Sequence, residues 1–170
     1  MKQKLILELV FLFSLGAFSS FSLPPFNFFL INFFTFSIFF ILLFKRLKNK
    51  SEKKNSFLYG WSFGFGYFLT NLYWITISLT FDKNFSFLIP IALIIIPSFL
   101  AIFYGLISFL FNLFNPKNII SAFFSFSILF GIIEFIRGTI LTGFPWNLIV
   151  YSFSENLRFI SILSLLGTYA

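Results

Sequence analysis

The run FLIPIALIIIPSFLAIFYGLISFLFNLF, residues 87–114, decides the fold class. It carries no charged side chain, and as an α-helix it would rise about 42 Å. A bilayer's hydrocarbon core is about 30 Å thick and takes about 20 helical residues, so this run can cross with length to spare. Pro90 and Pro97 lie inside it. Proline has no backbone N–H and clashes with the preceding turn, so a late helix start or a kink is expected there.

The same apolar pattern recurs on both sides. Upstream it covers about 5–23, 26–44 and 57–79; downstream it covers about 119–136, and a further run begins near 157. Pro24-Pro25 ends the first segment and a basic stretch ends the second. The pattern predicts an all-α membrane protein, a polytopic helical bundle of five full spans plus the start of a sixth. Short connections place sequence neighbours antiparallel. As a helix, 157–170 would rise about 21 Å, short of a crossing, and no basic anchor follows Ala170. A truncated gene product or a fragment is the expectation.

Composition agrees. Hydrophobic residues make up 59% and charged residues 10%, against about 25% charged in soluble domains. The 33 phenylalanines follow no fixed spacing. They read as general apolar content of an A/T-rich genome more readily than as an aromatic-lined ligand site. Without Cys or His, the chain has no disulfide, no thiolate or imidazole metal ligand, no Cys nucleophile and no histidine base.

The net charge of +7 is unevenly placed. Lys2 and Lys4 precede the first segment; Lys45, Arg46, Lys48, Lys50, Lys53 and Lys54 follow the second, against Glu52; Lys117 lies between the fourth and fifth. The alternate connections hold Asp82 with Lys83, and Glu155 near Arg158. The positive-inside rule then sets the N-terminus in the cytoplasm. An orientation signal explains the 45–54 cluster better than nucleic acid does, and it can touch anionic headgroups. The start also admits a second reading, a cleaved signal peptide ending near Gly16, Ala17 and Ser19. The run continues to Leu23 and leads at once into further spans, which favours a retained anchor. No internal repeat is evident, and 45–56 is the longest linker.

Two stretches stand out within the spans. Gly60 and Gly64 form a small-xxx-small pair that lets another helix approach closely. Gly64 and Gly66 are no phosphate loop, because they lie inside an apolar helix. Further along, Asn71 is expected near mid-membrane with a partner on a neighbouring helix, and Trp74 nearer the outer interface. The second stretch begins with Glu134 and Arg137, three residues apart and so on one helix face. They suit an ion pair that fixes the helix end or, alternatively, an Arg137 contact with a lipid phosphate. Gly143 and Pro145 then break the helix, and Trp146 falls at interfacial depth.

The string Glu134-Phe135-Ile136-Arg137-Gly138, followed by Leu141-Thr142-Gly143-Phe144-Pro145-Trp146 and Tyr151-Ser152, resembles the signature of apolipoprotein N-acyltransferases. The Leu23-Pro24-Pro25-Phe26 turn and the glycines of 60–66 with Trp74 agree with it. The 142–146 segment is the specific part of a resemblance that runs in order through nearly all 170 residues. It implies a bacterial inner-membrane enzyme with eight spans and an extracytoplasmic nitrilase-like domain. Such enzymes move an acyl chain from a membrane phospholipid to the α-amino group of an apolipoprotein's lipidated N-terminal Cys. The implied route is a thioester on a catalytic Cys assisted by a Glu and a Lys, with no external cofactor and no metal.

The sequence departs from that pattern. Residues 1–170 match the N-terminal transmembrane domain and stop before the nitrilase-like domain, and a chain without Cys forms no Cys thioester. Glu8, Glu52, Glu134 and Glu155 lie outside the matching domain, so no catalytic residue is expected here. The expected lipid-proximal residues are Arg137, Trp146 and Tyr151; Glu134, Gly143, Pro145, Gly60 and Gly64 are expected to be structural. Two further readings stand beside an acyltransferase's membrane part. One is a non-catalytic membrane module or gene remnant; the other is a small transporter subunit, for which intramembrane charges are few.

Overall fold

The computed structural model describes residues 2–47, 55–140, 147–155 and 161. Its long elements are five α-helices: α1 Lys2–Ser19, α2 Leu30–Leu47, α3 Ser56–Asn71, α4 Ile89–Phe114 and α5 Ile119–Thr139. Shorter 3-10 turns cover Ser20–Ser22, Tyr73–Thr80, Lys83–Leu88 and Ile149–Phe153. No strand occurs among the described residues. Three stretches are long and apolar enough to cross a membrane, Gln3–Ser22, Lys83–Phe114 and Ile119–Thr139. α2 and α3 are shorter, at 18 and 16 residues. The sixth run, 157–170, lies outside the described residues except for Ser161.

Several boundaries differ from the sequence reading, each for a local reason. α2 starts at Leu30 and not near 26, because Phe26 and Asn27 N–H groups both bond to the Leu23 carbonyl and Phe28 N–H to Phe21. Asn27 takes φ 56° in this turn, a left-handed conformation that Asn tolerates. α3 stops at Asn71 instead of running to 79. Beyond it, Thr76, Ser78 and Thr80 each turn a hydroxyl onto the carbonyl three residues back at 2.7 Å. Such back-bonding, in a run with β-branched Ile75 and Ile77, suits the tighter turn over a continued α-helix. Asn71 is the last residue of α3, and its amide donates to Tyr67 of its own helix at 3.1 Å. α4 starts late, with Pro90 in its first turn, and continues through Pro97. Asn118 caps α5 by accepting from Ser121 N–H at 2.7 Å.

α3 is the centre of the bundle and packs most extensively on α4 and α1. Its glycines set both contacts. A Cβ on Gly60 would overlap the Tyr104 carbonyl, and one on Gly64 would lie 2.7 Å from Tyr104 Cβ. On the other face, a Cβ on Gly66 would overlap the Phe13 carbonyl, while one on Gly16 of α1 would overlap that of Phe63. Around this axis the buried phenylalanines interlock: Phe39 stacks on Phe63 with ring centroids 4.3 Å apart, and Phe126 and Phe130 close the cluster from α5. Others, such as Phe33, Phe34 and Phe124, point outward, as the surface of a bundle in hydrocarbon allows. Gly60→Leu should force α3 from α4 and lower the unfolding temperature in detergent sharply. Overpacking costs about 1–3 kcal/mol even where side chains can give, and here the obstacle is backbone. Phe124→Leu on the exposed face should leave that temperature unchanged.

Candidate functional site

The short turns leave the bundle with two unlike ends. One gathers the basic residues Lys4, Lys45, Arg46 and Lys117. The other is covered by the segment 147–155, and the sequence's most specific signature leads into it.

This cap is fastened from below by a buried polar group of atoms. α5 places Glu134 and Arg137 one turn apart, with 8% and 4% exposure, and Arg137 Nη2 donates to Glu134 Oε1 at 3.2 Å. The guanidinium carbon also lies 5.2 Å from the centre of the Phe68 ring on α3, within cation–π range. The backbone N–H of Ile149 lies close to the Glu134 carboxylate. Beside it, Tyr67 of α3 donates its hydroxyl proton to the Asn147 carbonyl at 3.1 Å. Two helices thus hold the start of the cap through backbone groups.

Packing and polar contacts complete the attachment. Leu148 is fully buried, and Asn147 takes φ 49° to turn the chain there. The Phe153 ring meets Phe29 at 5.6 Å and Phe33 at 6.4 Å. Asn27 Nδ2 donates to Glu155 Oε1 at 2.6 Å, joining the cap to the α1–α2 turn. Between cap, turn and the end of α3 lies a pocket of about 390 Å³, lined by Pro24, Pro25, Asn71, Trp74, Asn147 and Tyr151 among others. Asn147 Nδ2 is buried there without a hydrogen-bond partner among the described residues. The chemistry is that of a binding pocket: amides and a phenol for orientation beside indole and proline surface. Among the described residues no three His, Cys, Asp or Glu side chains gather to hold a metal.

The expected residues divide. Tyr151, 37% exposed, lines the pocket. Arg137 stands inside the bundle and not on its lipid-facing surface, because its charge is met by Glu134 and Phe68. The ion pair expected from the spacing of Glu134 and Arg137 is formed. Gly143, Pro145 and Trp146 lie outside the described residues. Gly60 and Gly64 lie at the α3–α4 contact, away from the pocket. Tyr67, Asn27 and Asn147 had no local signal: each acts through a partner that only the folded chain brings near.

Residues 15–170 match the family model described as the apolipoprotein N-acyltransferase N-terminal domain. The chain belongs to that family. It is 37% identical over 142 residues to an apolipoprotein N-acyltransferase from Rhizobium etli, a match covering 80% of this chain and 26% of the relative. It is 35% identical over 157 residues to one from Rhodopseudomonas palustris, covering 91% of this chain and 29% of the relative. The chain thus spans somewhat more than a quarter of the length of these curated acyltransferase relatives.

Removing one partner of the buried pair should be more damaging than removing both. Glu134→Ala leaves Arg137 buried without its counter-charge and should destabilise by about 3–5 kcal/mol. Joint Glu134→Gln and Arg137→Gln should cost clearly less, measured by unfolding in detergent. Tyr67→Phe deletes one hydrogen bond, worth about 1 kcal/mol. It should quicken labelling of a cysteine introduced at Ser154 without unfolding the bundle.

Proposed function

We propose that this chain forms the membrane part of an apolipoprotein N-acyltransferase. The reaction is transfer of an acyl chain from a membrane phospholipid to the α-amino group of a lipidated N-terminal Cys, in lipoprotein maturation. The observation that carries this reading is the family match through residues 15–170. The catalytic thioester would form in a part of the protein other than these 170 residues, which hold no Cys, so the chain alone is inactive in this reading.

The pocket under the cap suits an amphiphile at the edge of the bilayer. Tyr151 on its wall serves as a lipid-proximal residue, and Trp146 as a second one. Arg137 acts from beneath with Glu134, as a positioning residue for the 147–155 segment. Gly143 and Pro145 serve a structural role. All five helices cross the bacterial inner membrane, with the N-terminus and basic connections in the cytoplasm and the capped end outside. α2 and α3, about 27 and 24 Å long as helices, complete their crossings through the turns at 24–29 and Tyr73–Thr80.

Joining the chain to the remaining C-terminal portion of the Rhizobium etli relative tests the assignment in cells depleted of their own enzyme. The fusion should restore N-acylation of a lipoprotein, read by mass, and the chain alone should not. Trp146→Ala and Tyr151→Ala in the fusion should each lower acylation at least tenfold with unchanged membrane abundance; full activity in both would remove them from the lipid site. Because the chain lacks Cys, single cysteines also report topology. Ser51→Cys should be shielded from a membrane-impermeant maleimide in intact spheroplasts, and Asn84→Cys should be labelled.

A further inference from the structure

The basic end holds a second cavity, remote from the cap. It is a groove of about 270 Å³ between α1 and α2, with Tyr59 of α3 at its base. Leu7, Phe11 and Leu42 give it apolar walls. Leu7 and Phe11 are 70% and 50% exposed, so these walls open sideways, toward where hydrocarbon would lie. At its mouth stand Lys4, Glu8 and Arg46. The only carboxylate among these is already engaged: Arg46 pairs with Glu8, and Tyr59 donates its hydroxyl proton to Glu8 Oε2 at 3.2 Å. Lys4 is exposed and forms no ion pair among the described residues. Lys45 adds another exposed charge one residue from Arg46.

We infer that this groove binds one anionic phospholipid, its phosphate against Lys4 and Arg46 and an acyl chain along Leu7, Phe11 and Leu42. Charge complementarity selects the occupant. Among the described residues Arg46 and Lys4 stand against one carboxylate, Glu8, which leaves a cationic rim, while the apolar side walls demand a hydrocarbon tail on the same molecule. Basic side chains at a membrane surface attract anionic lipid in this way, and a groove that also holds the tail converts diffuse attraction into a site. Glu8 contributes by fixing Arg46 at the rim, and Tyr59 by fixing Glu8. The lipid is distinct from any acyl donor at the capped end, since the two cavities share no residue. Assigning it to the cytoplasmic leaflet rests on the topology proposed above.

The test uses the full chain in nanodiscs of phosphatidylcholine containing graded phosphatidylglycerol, with retained lipids counted by native mass spectrometry. Wild type should retain one phosphatidylglycerol in preference to phosphatidylcholine. Lys4→Gln should lower that retention about fivefold, the effect of one basic residue at a membrane surface, and Leu7→Trp, which fills the groove mouth, should lower it similarly. Both positions are exposed, and matched unfolding temperatures verify that the fold survives. Lys117→Gln, at the same end but away from the groove, should change nothing. Equal retention of the two lipids would overturn the site, as would indifference to both groove variants. An equal loss with Lys117→Gln would reduce the effect to diffuse attraction and overturn it as well. Labelling of Ser51→Cys from outside would refute the leaflet assignment while leaving phosphatidylglycerol retention as the measure of the groove.

Discussion

Backbone-to-backbone approach on two faces of α3 is the constraint on which the rest of the bundle depends. In hydrocarbon, helices gain little from excluding lipid, which is as apolar as they are; close packing and interhelical hydrogen bonds must hold them. Gly60 and Gly64 admit α4, and Gly66 with Gly16 admits α1. At that distance short polar side chains can reach neighbouring backbones. Ser62 bonds to the Leu9 carbonyl at 2.7 Å and Trp61 to that of Ser98 at 3.1 Å. The same spacing brings Tyr67 and Phe68 beneath the cap, so packing at the centre fixes what the capped end can hold.

The buried Glu134–Arg137 pair is costly in such a setting, because desolvating two charges can outweigh their attraction. Its geometry suggests what it supports. Glu134 receives Arg137 and lies close to the Ile149 N–H, and Arg137 also lies over the Phe68 ring. The pair therefore joins α5, α3 and the cap at one point. An apolar replacement of equal volume would fill the space but could not hold a backbone N–H in place.

Much of this was legible in the residues. The five apolar runs at 5–23, 26–44, 57–79, 87–114 and 119–136 each contain a helix, since an uninterrupted apolar stretch has few other ways to satisfy its backbone in a bilayer. Boundaries were less legible where a turn's hydrogen bonds decide them, as at Leu23 and in the hydroxyl-rich Tyr73–Thr80. The 134–152 signature pointed to the family, and the family model matches through it. Charge and spacing told that Glu134 and Arg137 can pair, and not that the pair is buried between α5 and α3.

What the sequence determined by itself is the class of molecule: an apolar helical chain, its basic residues gathered in alternate connections, without a thiol or an imidazole for catalysis. These follow from composition and order alone. Only the tertiary structure decided that Gly16 meets α3, that Tyr67 holds Asn147 across 80 positions of chain, and that Asn27 reaches Glu155. Those contacts depend on helix rotation and crossing, which are set by the sum of many weak packing interactions and carry no local spacing to read.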